Sequence, residues 1–577
     1  MVKRLAKCVR EYKIYAVLSP IMVVGEVILS VLIPLYMADL IDKGVEVGDL
    51  DFVRSMGLKL LVLAVLSMVF GILGGVFSST GAAGFARNVR KDMYYNIQRF
   101  SFGNIDRFTT AGLVTRMTRD TTQVQMCFMM LTRMLFRAPV TLVFALIAAF
   151  RINGRLPLVF IATLPILAIG LFTIMKKAFP LFERVFALFD NMNTVVQENV
   201  RGIRVVKSFV RGDEEKKKFD RVATDVRDTS VMAERIVAMN MPLMSFCMYG
   251  CMLAISWIGA RFVIQSQMST GQLMSMISYV TQILMSLMMS SMLILMLTMS
   301  KAAAKRIIEV LDAQPDIAQP ENAVTELKDG SVDFDDVDFA YGNAKPCLKD
   351  ATLHIDSGQV VGIIGGTGSG KSSLVQLIPR LYDANQGTVS VGGVDVREMD
   401  LSVLRKNVAM VLQKNVLFEG TIAQNMRWGN ESATDDQIIE ALKMAQAWDF
   451  VGKLEDGINA PVEQGGNNFS GGQKQRLCIA RALLADPKIL ILDDSTSAVD
   501  TATEAAIRKS LSQYMPQCTK IIIAQRISSV KDADRIIVLD NGRISGIGTH
   551  DELMAGNTIY QEVYESQTKG GDFDEPN

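Results

Sequence analysis

Residues 156–175 contain no Asp, Glu, Lys or Arg. That length matches the ~20 apolar residues a helix needs to cross about 30 Å of hydrocarbon. A water-soluble helix of this composition would have to be buried on every side. Apolar segments of similar length recur at 14–40, 58–77, 131–150, 241–264 and 273–299. Hydrocarbon satisfies no backbone hydrogen bond, so each segment is read as a helix, and the bilayer is a partner of the chain. The other half of the composition argues for water: 21% of residues are charged beside the 49% that are hydrophobic. At 577 residues the chain exceeds one core, so a membrane domain joined to a soluble one is expected. The formal net charge is zero, which gives no reason to invoke nucleic acid as a partner. The seven cysteines form no CxxC pair and are read as packing thiols of a reducing compartment.

Charge asymmetry orients the spans. Lys3, Arg4, Lys7, Arg10 and Lys13 precede the first, and no small-residue cleavage site follows it. This end is read as a retained amphipathic segment. The loop after the first span carries Asp42, Glu46, Asp49 and Asp51 against Lys43 and Arg54, whereas the long connections 78–130 and 176–240 are rich in Arg and Lys. The positive-inside rule puts both termini and both long connections in the cytoplasm of a multi-pass cell-membrane protein. Arg151 and Arg155, in a short outer turn, point the other way and are outvoted. A helical rhythm over 85–102 and 194–235 predicts that the spans continue into the cytoplasm. Turn-like breaks are expected at 103–112 and 211–213, where the chain could dock on another domain.

Within the spans, Glu26 admits two readings: a group facing the substrate pathway, or a hydrogen-bonding partner of a neighbouring helix. Arg133 and Arg137 are expected to snorkel toward headgroups. Gly71 and Gly75 have the spacing of a close helix contact. Methionine is dense between 239 and 299, which suits either a surface that repacks around varied apolar ligands or lipid-facing filler.

The pattern changes after the sixth span. Gln314-Pro315 and Gln319-Pro320 mark a linker over 311–330, between a membrane domain at 1–310 and a soluble domain at 331–577. Alternating strand and helix patterns there predict an α/β domain with a largely parallel sheet. An apolar strand at 360–364 runs into Gly365-Gly366-Thr367-Gly368-Ser369-Gly370-Lys371-Ser372, which fits GxxxxGK[ST]. Glycines allow backbone N–H groups to converge on phosphate, Lys371 reaches the outer phosphates, and the Ser372 hydroxyl suits Mg²⁺. A second apolar strand, 489–492, ends in Asp493 and Asp494, the first placed for Mg²⁺ and the second for a catalytic base. Ser470-Gly471-Gly472-Gln473 opens a helix with Ser470 at the cap, a second anion site suited to the nucleotide of another copy.

Taken together these motifs resemble the ABC transporter family, over essentially the whole chain, and specifically exporters with one membrane domain fused to one nucleotide-binding domain. The resemblance implies a six-helix all-α membrane domain followed by an α/β P-loop ATP-binding cassette, with ATP and Mg²⁺ as cofactors. It makes Tyr341 the residue that stacks on adenine, and 365–372 with Ser373 the phosphate loop. Gln413 becomes the Q-loop glutamine and, with Ser372 and Asp493, a metal ligand. Glu463 precedes the signature Ser470, Gly471, Gly472 and Gln473, and Asp500 closes a D-loop at 497–500. The breaks at 103–112 and 211–213 fall where coupling helices would lie.

Two positions depart from the family pattern. The base after Asp493 is normally Glu and is Asp494 here; the switch His is Gln525. The other histidines, His354 and His550, are wrongly placed to substitute. A carboxylate withdrawn by about one C–C bond can lose ~100-fold in rate. These departures imply that ATP binds here but turns over slowly. They also imply a heterodimer, in which a homologous half-transporter with intact Glu and His hydrolyses ATP against this chain's signature. The substrate implied is an amphipathic or lipophilic small molecule or peptide. Alternatives are a homodimeric lipid flippase with Asp494 as slow base, and an ATP-gated regulator that transports nothing.

Overall fold

The computed structural model describes residues 1–342, 344–494 and 499–569. The chain divides into two compact units, one of Met1–Gln98 with Thr110–Ala313, the other of Arg99–Thr109 with Gln314–Asn577.

Among the described residues, the first unit holds six helices long and apolar enough to cross a membrane: Lys3–Val45, Leu50–Ile97, Thr110–Ile152, Leu158–Arg201, Gly212–Ile264 and Thr270–Ser290. Each contains or overlaps one expected span. The 48 residues of Leu50–Ile97 make about 72 Å of helix, far more than hydrocarbon requires. Only 6% of its most apolar stretch is buried within the chain, which leaves Leu61, Val62, Leu66 and Val69 to face a hydrocarbon solvent.

Small and β-branched residues of the first span enter an interior that larger side chains such as Phe160, Leu167 and Met276 share. Val23, Val27 and Val31, one turn apart, meet Ala145, Ala148, Ala149, Tyr279 and Ile283. The buried Tyr279 hydroxyl donates to Val31 O at 2.8 Å. Asp42 sits at the start of the last helix, where it accepts from the Gly271 N–H at 2.7 Å and from the Ser269 hydroxyl. A carboxylate there offsets the positive end of the helix. Gly271 is required by contact, since a Cβ would fall 2.4 Å from Ala38 O.

Arg137 does not snorkel. Its guanidinium lies 2.9 Å from Glu26, which is 15% exposed, so the two spans neutralise each other's charge. Pairing costs less than holding both charges alone in hydrocarbon. Glu26 is therefore bonded to a neighbouring helix, the second of its two sequence readings. Gly71 and Gly75 serve these side chains: a Cβ at Gly71 would lie 3.3 Å from the Glu26 carboxyl carbon, and one at Gly75 would lie 3.9 Å from Arg133. The first expected turn holds a short helix, and at the second the chain breaks just before the helix Gly212–Ala238. Phe102–Phe108 is closed by a capping box between Ser101 and Asn104, and Ile203–Ser208 precedes the expected break at 211–213.

In the second unit, a six-stranded sheet runs in the order Arg543–Gly548, Arg535–Asp540, Val360–Gly365, Thr519–Ile523, Ile489–Asp493, Val408–Val411. Only the Arg543–Gly548 edge is antiparallel. An antiparallel sheet of Leu348–Ile355, Val332–Phe339, Gln386–Val391 and Val394–Asp395 was not foreseen. Val332, Phe334, Val337 and Phe339 are buried, with Asp333, Asp335 and Asp338 among them. The boundary also shifts: the last membrane helix ends at Asp312, and Val324 bridges Met399, so the expected linker contributes to the second unit. The helix Phe102–Phe108 belongs to it too. Ser101 and Asn104 donate to Asp316 and to Gln314 O at 3.2 and 3.1 Å, and the Tyr382 hydroxyl donates to Asp106 at 2.7 Å.

Glu26→Gln should leave Arg137 without a counter-charge and cost on the order of 3 kcal/mol. Thermal unfolding in detergent should register the loss, and exchanging the two residues (Glu26→Arg with Arg137→Glu) should recover most of it.

Candidate nucleotide site

The strand Val360–Gly365 delivers the loop 366–370 to the helix Lys371–Leu377. Two glycines there are constrained by contact. A Cβ at Gly365 would meet Leu539 O at 2.2 Å; at Gly370, with φ of 99°, it would meet Cys347 O at 2.5 Å. Gly366 and Gly368 instead border open space, with nothing within 4 Å. The loop is thus tightly seated at both ends and open in the middle.

Lys371 Nζ donates to Gly365 O and Gly366 O, both at 2.8 Å, and burial pushes its pKa below the ordinary lysine value. Ser372 Oγ donates to Asp493 Oδ1 at 2.9 Å. Asp493 is buried, and burial raises its carboxyl pKa; the Ser372 hydrogen bond opposes this and the neighbouring charge of Asp494 adds to it. A divalent cation would offset that desolvation. The Ser369 hydroxyl is buried and has no hydrogen-bond partner among the described residues, which suits a loop that receives further acceptors. These features fit a Mg-nucleotide: open glycines and an orphan donor for phosphate, a serine and a buried carboxylate for the metal.

Asp494 stands in the left-handed region at φ of 50°. Gln525 Nε2 donates to its Oδ2 at 2.6 Å, and Gln413 Nε2 reaches the same oxygen at 3.3 Å. The Gln413 amide nitrogen therefore faces Asp494, which leaves its carbonyl oxygen as the atom available to a metal. His354 is engaged by Asp333 and Asp356, and His550 by the Tyr560 hydroxyl.

Tyr341 is 37% exposed, its hydroxyl held by Ser373 Oγ at 3.1 Å and Gln376 Oε1 at 3.0 Å. Its ring stands edge-on to Tyr382, 5.1 Å between centroids, and Tyr382 in turn meets Phe102 edge-on at 6.0 Å. Sequence reasoning missed Tyr382; lying after a helix and before a strand, it carries no motif. Ser470 caps the helix Gly471–Leu483 through a reciprocal box: its N–H donates to Gln473 Oε1 at 2.9 Å and its Oγ accepts from Gln473 N at 3.3 Å. Ser470 and Gly471 are exposed, so the motif is presented outward. Glu463 N–H donates to Asn468 Oδ1 at 3.1 Å just ahead of it. Asp500 caps the helix Thr501–Tyr514 by accepting from Thr503 N at 2.9 Å. Ser497 and Ala498, the start of the expected D-loop, lie outside the described residues.

Six membrane helices on one chain with a P-loop α/β unit define the protomer of an ATP-coupled membrane transporter. Residues 17–287 match the ABC transporter transmembrane region and residues 348–497 the ABC transporter domain. The uncharacterized ABC transporter ATP-binding protein YfiB of Bacillus subtilis (strain 168) is 35% identical over 559 residues, 97% of each chain. The ATP-dependent lipid A-core flippase of Vibrio parahaemolyticus is 29% identical over 567 residues, 98% of this chain and 97% of its own. The fold matches a solved structure described as a bacterial Atm1-family ABC exporter with ATP bound, at a TM-score of 0.80, 24% identity and 97% and 98% coverage. The chain belongs to the ABC transporter family. It is a multi-pass membrane protein and an ATPase-coupled transmembrane transporter.

The raised pKa of Asp493 has a consequence for stability. A carboxyl whose pKa is raised on folding binds more protons folded than unfolded, so stability falls as pH rises through that window, and at neutral pH the full penalty is present. Asp493→Asn should therefore raise the thermal midpoint of the nucleotide-free protein at pH 7 by a few degrees and flatten its dependence on pH in the acidic range.

Proposed function

We propose that this chain is one half of a heterodimeric ABC exporter, and that it retains ATP at its own P-loop while its partner hydrolyses. The observation that carries this reading is the pair of amides on Asp494. A general base needs a lone pair aimed at the attacking water. Here one oxygen of an already short carboxylate is held by Gln525 and Gln413, and neither amide can take up a proton to become cationic as a histidine would.

Bound Mg-ATP would supply the free energy that closes two nucleotide-binding domains against each other. Tyr341 would stack on the adenine. The N–H groups of 365–370, with Lys371 and Ser373, would hold the phosphates, and Ser372, Asp493 and Gln413 would hold Mg²⁺. Lys371 would give up its two loop carbonyls for phosphate oxygens. Ser470, Gly471, Gly472 and Gln473, already capped and with the first two exposed, would complete the partner's site, with Asp500 beside it. The nucleotide-binding unit and both termini lie in the cytoplasm on this reading, and the cargo is amphipathic or lipophilic and moves outward. Glu26, neutralised by Arg137, is assigned to holding the spans together rather than to the cargo. A homodimeric lipid flippase is the second reading, favoured by the full-length similarity to a relative named for flipping lipid A-core.

The two readings separate on turnover. The purified chain alone should hydrolyse ATP slowly, and Asp494→Glu with Gln525→His should raise its rate by about tenfold or more, since a misplaced base costs up to ~100-fold. Robust hydrolysis by the unaltered lone chain would sink the heterodimer reading in favour of the flippase. Tyr341→Ala should weaken ATP binding about tenfold, as the loss of one base–aromatic stack implies; displacement of a fluorescent ATP analogue measures it. With a partner half-transporter present, Ser470→Ala should abolish most turnover of the pair and Lys371→Ala should reduce it less.

A further inference from the structure

The last helix, Thr558–Lys569, sets Tyr560, Val563, Tyr564 and Gln567 at i, i+3, i+4 and i+7, on one face. Tyr560 is fully buried, its hydroxyl bonded to His550 Nδ1 at 2.8 Å. Val563 and Tyr564 pack on the core that contains Ile522, Ala524 and Ile527. The apolar face therefore docks the helix beside the loop that leaves the strand Thr519–Ile523, the loop carrying Gln525.

Gln567 ends that face and bonds the loop in both senses. Its Nε2 donates to Gln525 O at 2.8 Å, and its Oε1 accepts from Ile527 N at 2.9 Å. Ile527 opens a short helical turn, Ile527–Ser529, whose first N–H groups have no partner within the turn. Gln525 is thus held at two points, by its backbone to Gln567 and by its side chain to Asp494 at 2.6 Å. An uncharged amide is suited to this place because it presents one donor and one acceptor side by side. A carboxylate would keep the bond to Ile527 N–H but set an oxygen against Gln525 O.

We infer that Gln567 is a positioning residue, which fixes Gln525 against Asp494 and thereby sets how long ATP stays at this chain's own P-loop. The inference rests on the reading that this site retains ATP. Nothing in the residues around Gln525 points to a helix some forty positions later; the tie exists only in the fold.

The test uses the purified full chain in lipid nanodiscs, loaded with labelled Mg-ATP and chased with unlabelled Mg-ATP. Gln567→Ala and Gln567→Glu should each speed nucleotide release about fivefold, the equivalent of one net hydrogen bond. Gln525→Ala should speed it as well, and adding Gln567→Ala to Gln525→Ala should bring no further change, because both act through one contact. A role confined to holding the fold would lower the thermal midpoint and leave the two effects additive. Unchanged release in Gln567→Ala, or additivity with Gln525→Ala, would overturn the inference. If the nucleotide recovered from the unaltered chain is ADP, the ATP-retaining reading falls, and the same variants are then compared on turnover. In that case a lowered kcat for Gln567→Ala that disappears in the Gln525→Ala background supports the positioning role, and an unmoved kcat rejects it.

Discussion

Parallel pairing aligns Ile363, Ile523 and Asp493 in a single row across the six-stranded sheet. Three strands remote in sequence therefore end at one edge, and the loops that leave them carry the phosphate loop, Asp494 and Gln525. Ligand sites gather outside the carboxyl ends of parallel strands for this reason. A slip of one residue in Ile489–Asp493 would turn Asp493 away from Ser372 and set Leu492 in its place. The buried strands Ile489–Asp493 and Thr519–Ile523, with every residue enclosed, make such a slip expensive. The 2.9 Å bond between Ser372 and Asp493 is a product of register, and the chemistry inherits its geometry from the core.

The same economy governs what surrounds the base position. Asp494, Gln525 and Gln567 form a chain of contacts running from the sheet edge to the final helix, anchored by the buried ring of Tyr560. Next to the helix that follows the phosphate loop, Tyr341, Tyr382 and Phe102 form an aromatic path to the segment 99–109. The site is thus bordered by two groups of residues, each of which connects it to a distant part of the chain.

Much of this was legible in the sequence, for identifiable reasons. The spans could be read because hydrocarbon imposes length and composition together. The phosphate loop could be read because glycines at fixed offsets have few other uses, and Ser470 because a cap followed by glycines and Gln announces a helix start. What escaped reading has local or tertiary causes. Phe102–Phe108 is too short for periodicity, and its helix is made by the Ser101–Asn104 box. The antiparallel sheet hid behind the crowd of aspartates in Val332–Phe339, whose polar face is exposed while the other is buried. Tyr382 and Gln567 have no motif at all, since the contacts of each are with residues far from it in the chain. Arg137 was misread because its partner, Glu26, lies on another helix.

That ion pair bears on how the protein is made as well as on how it is held. Glu26 and Arg137 are 111 positions apart, so the carboxylate emerges from the ribosome long before its counter-ion exists. At ~5–20 residues per second the interval is roughly 5–20 s. During it the first span carries an unmatched charge into the bilayer, a burden of about 3 kcal/mol on insertion scales. A wait at the interface or against the insertion machinery, until the third span arrives, would spare the first helix that cost. The pair thus ties the energetics of inserting the first span to the arrival of the third.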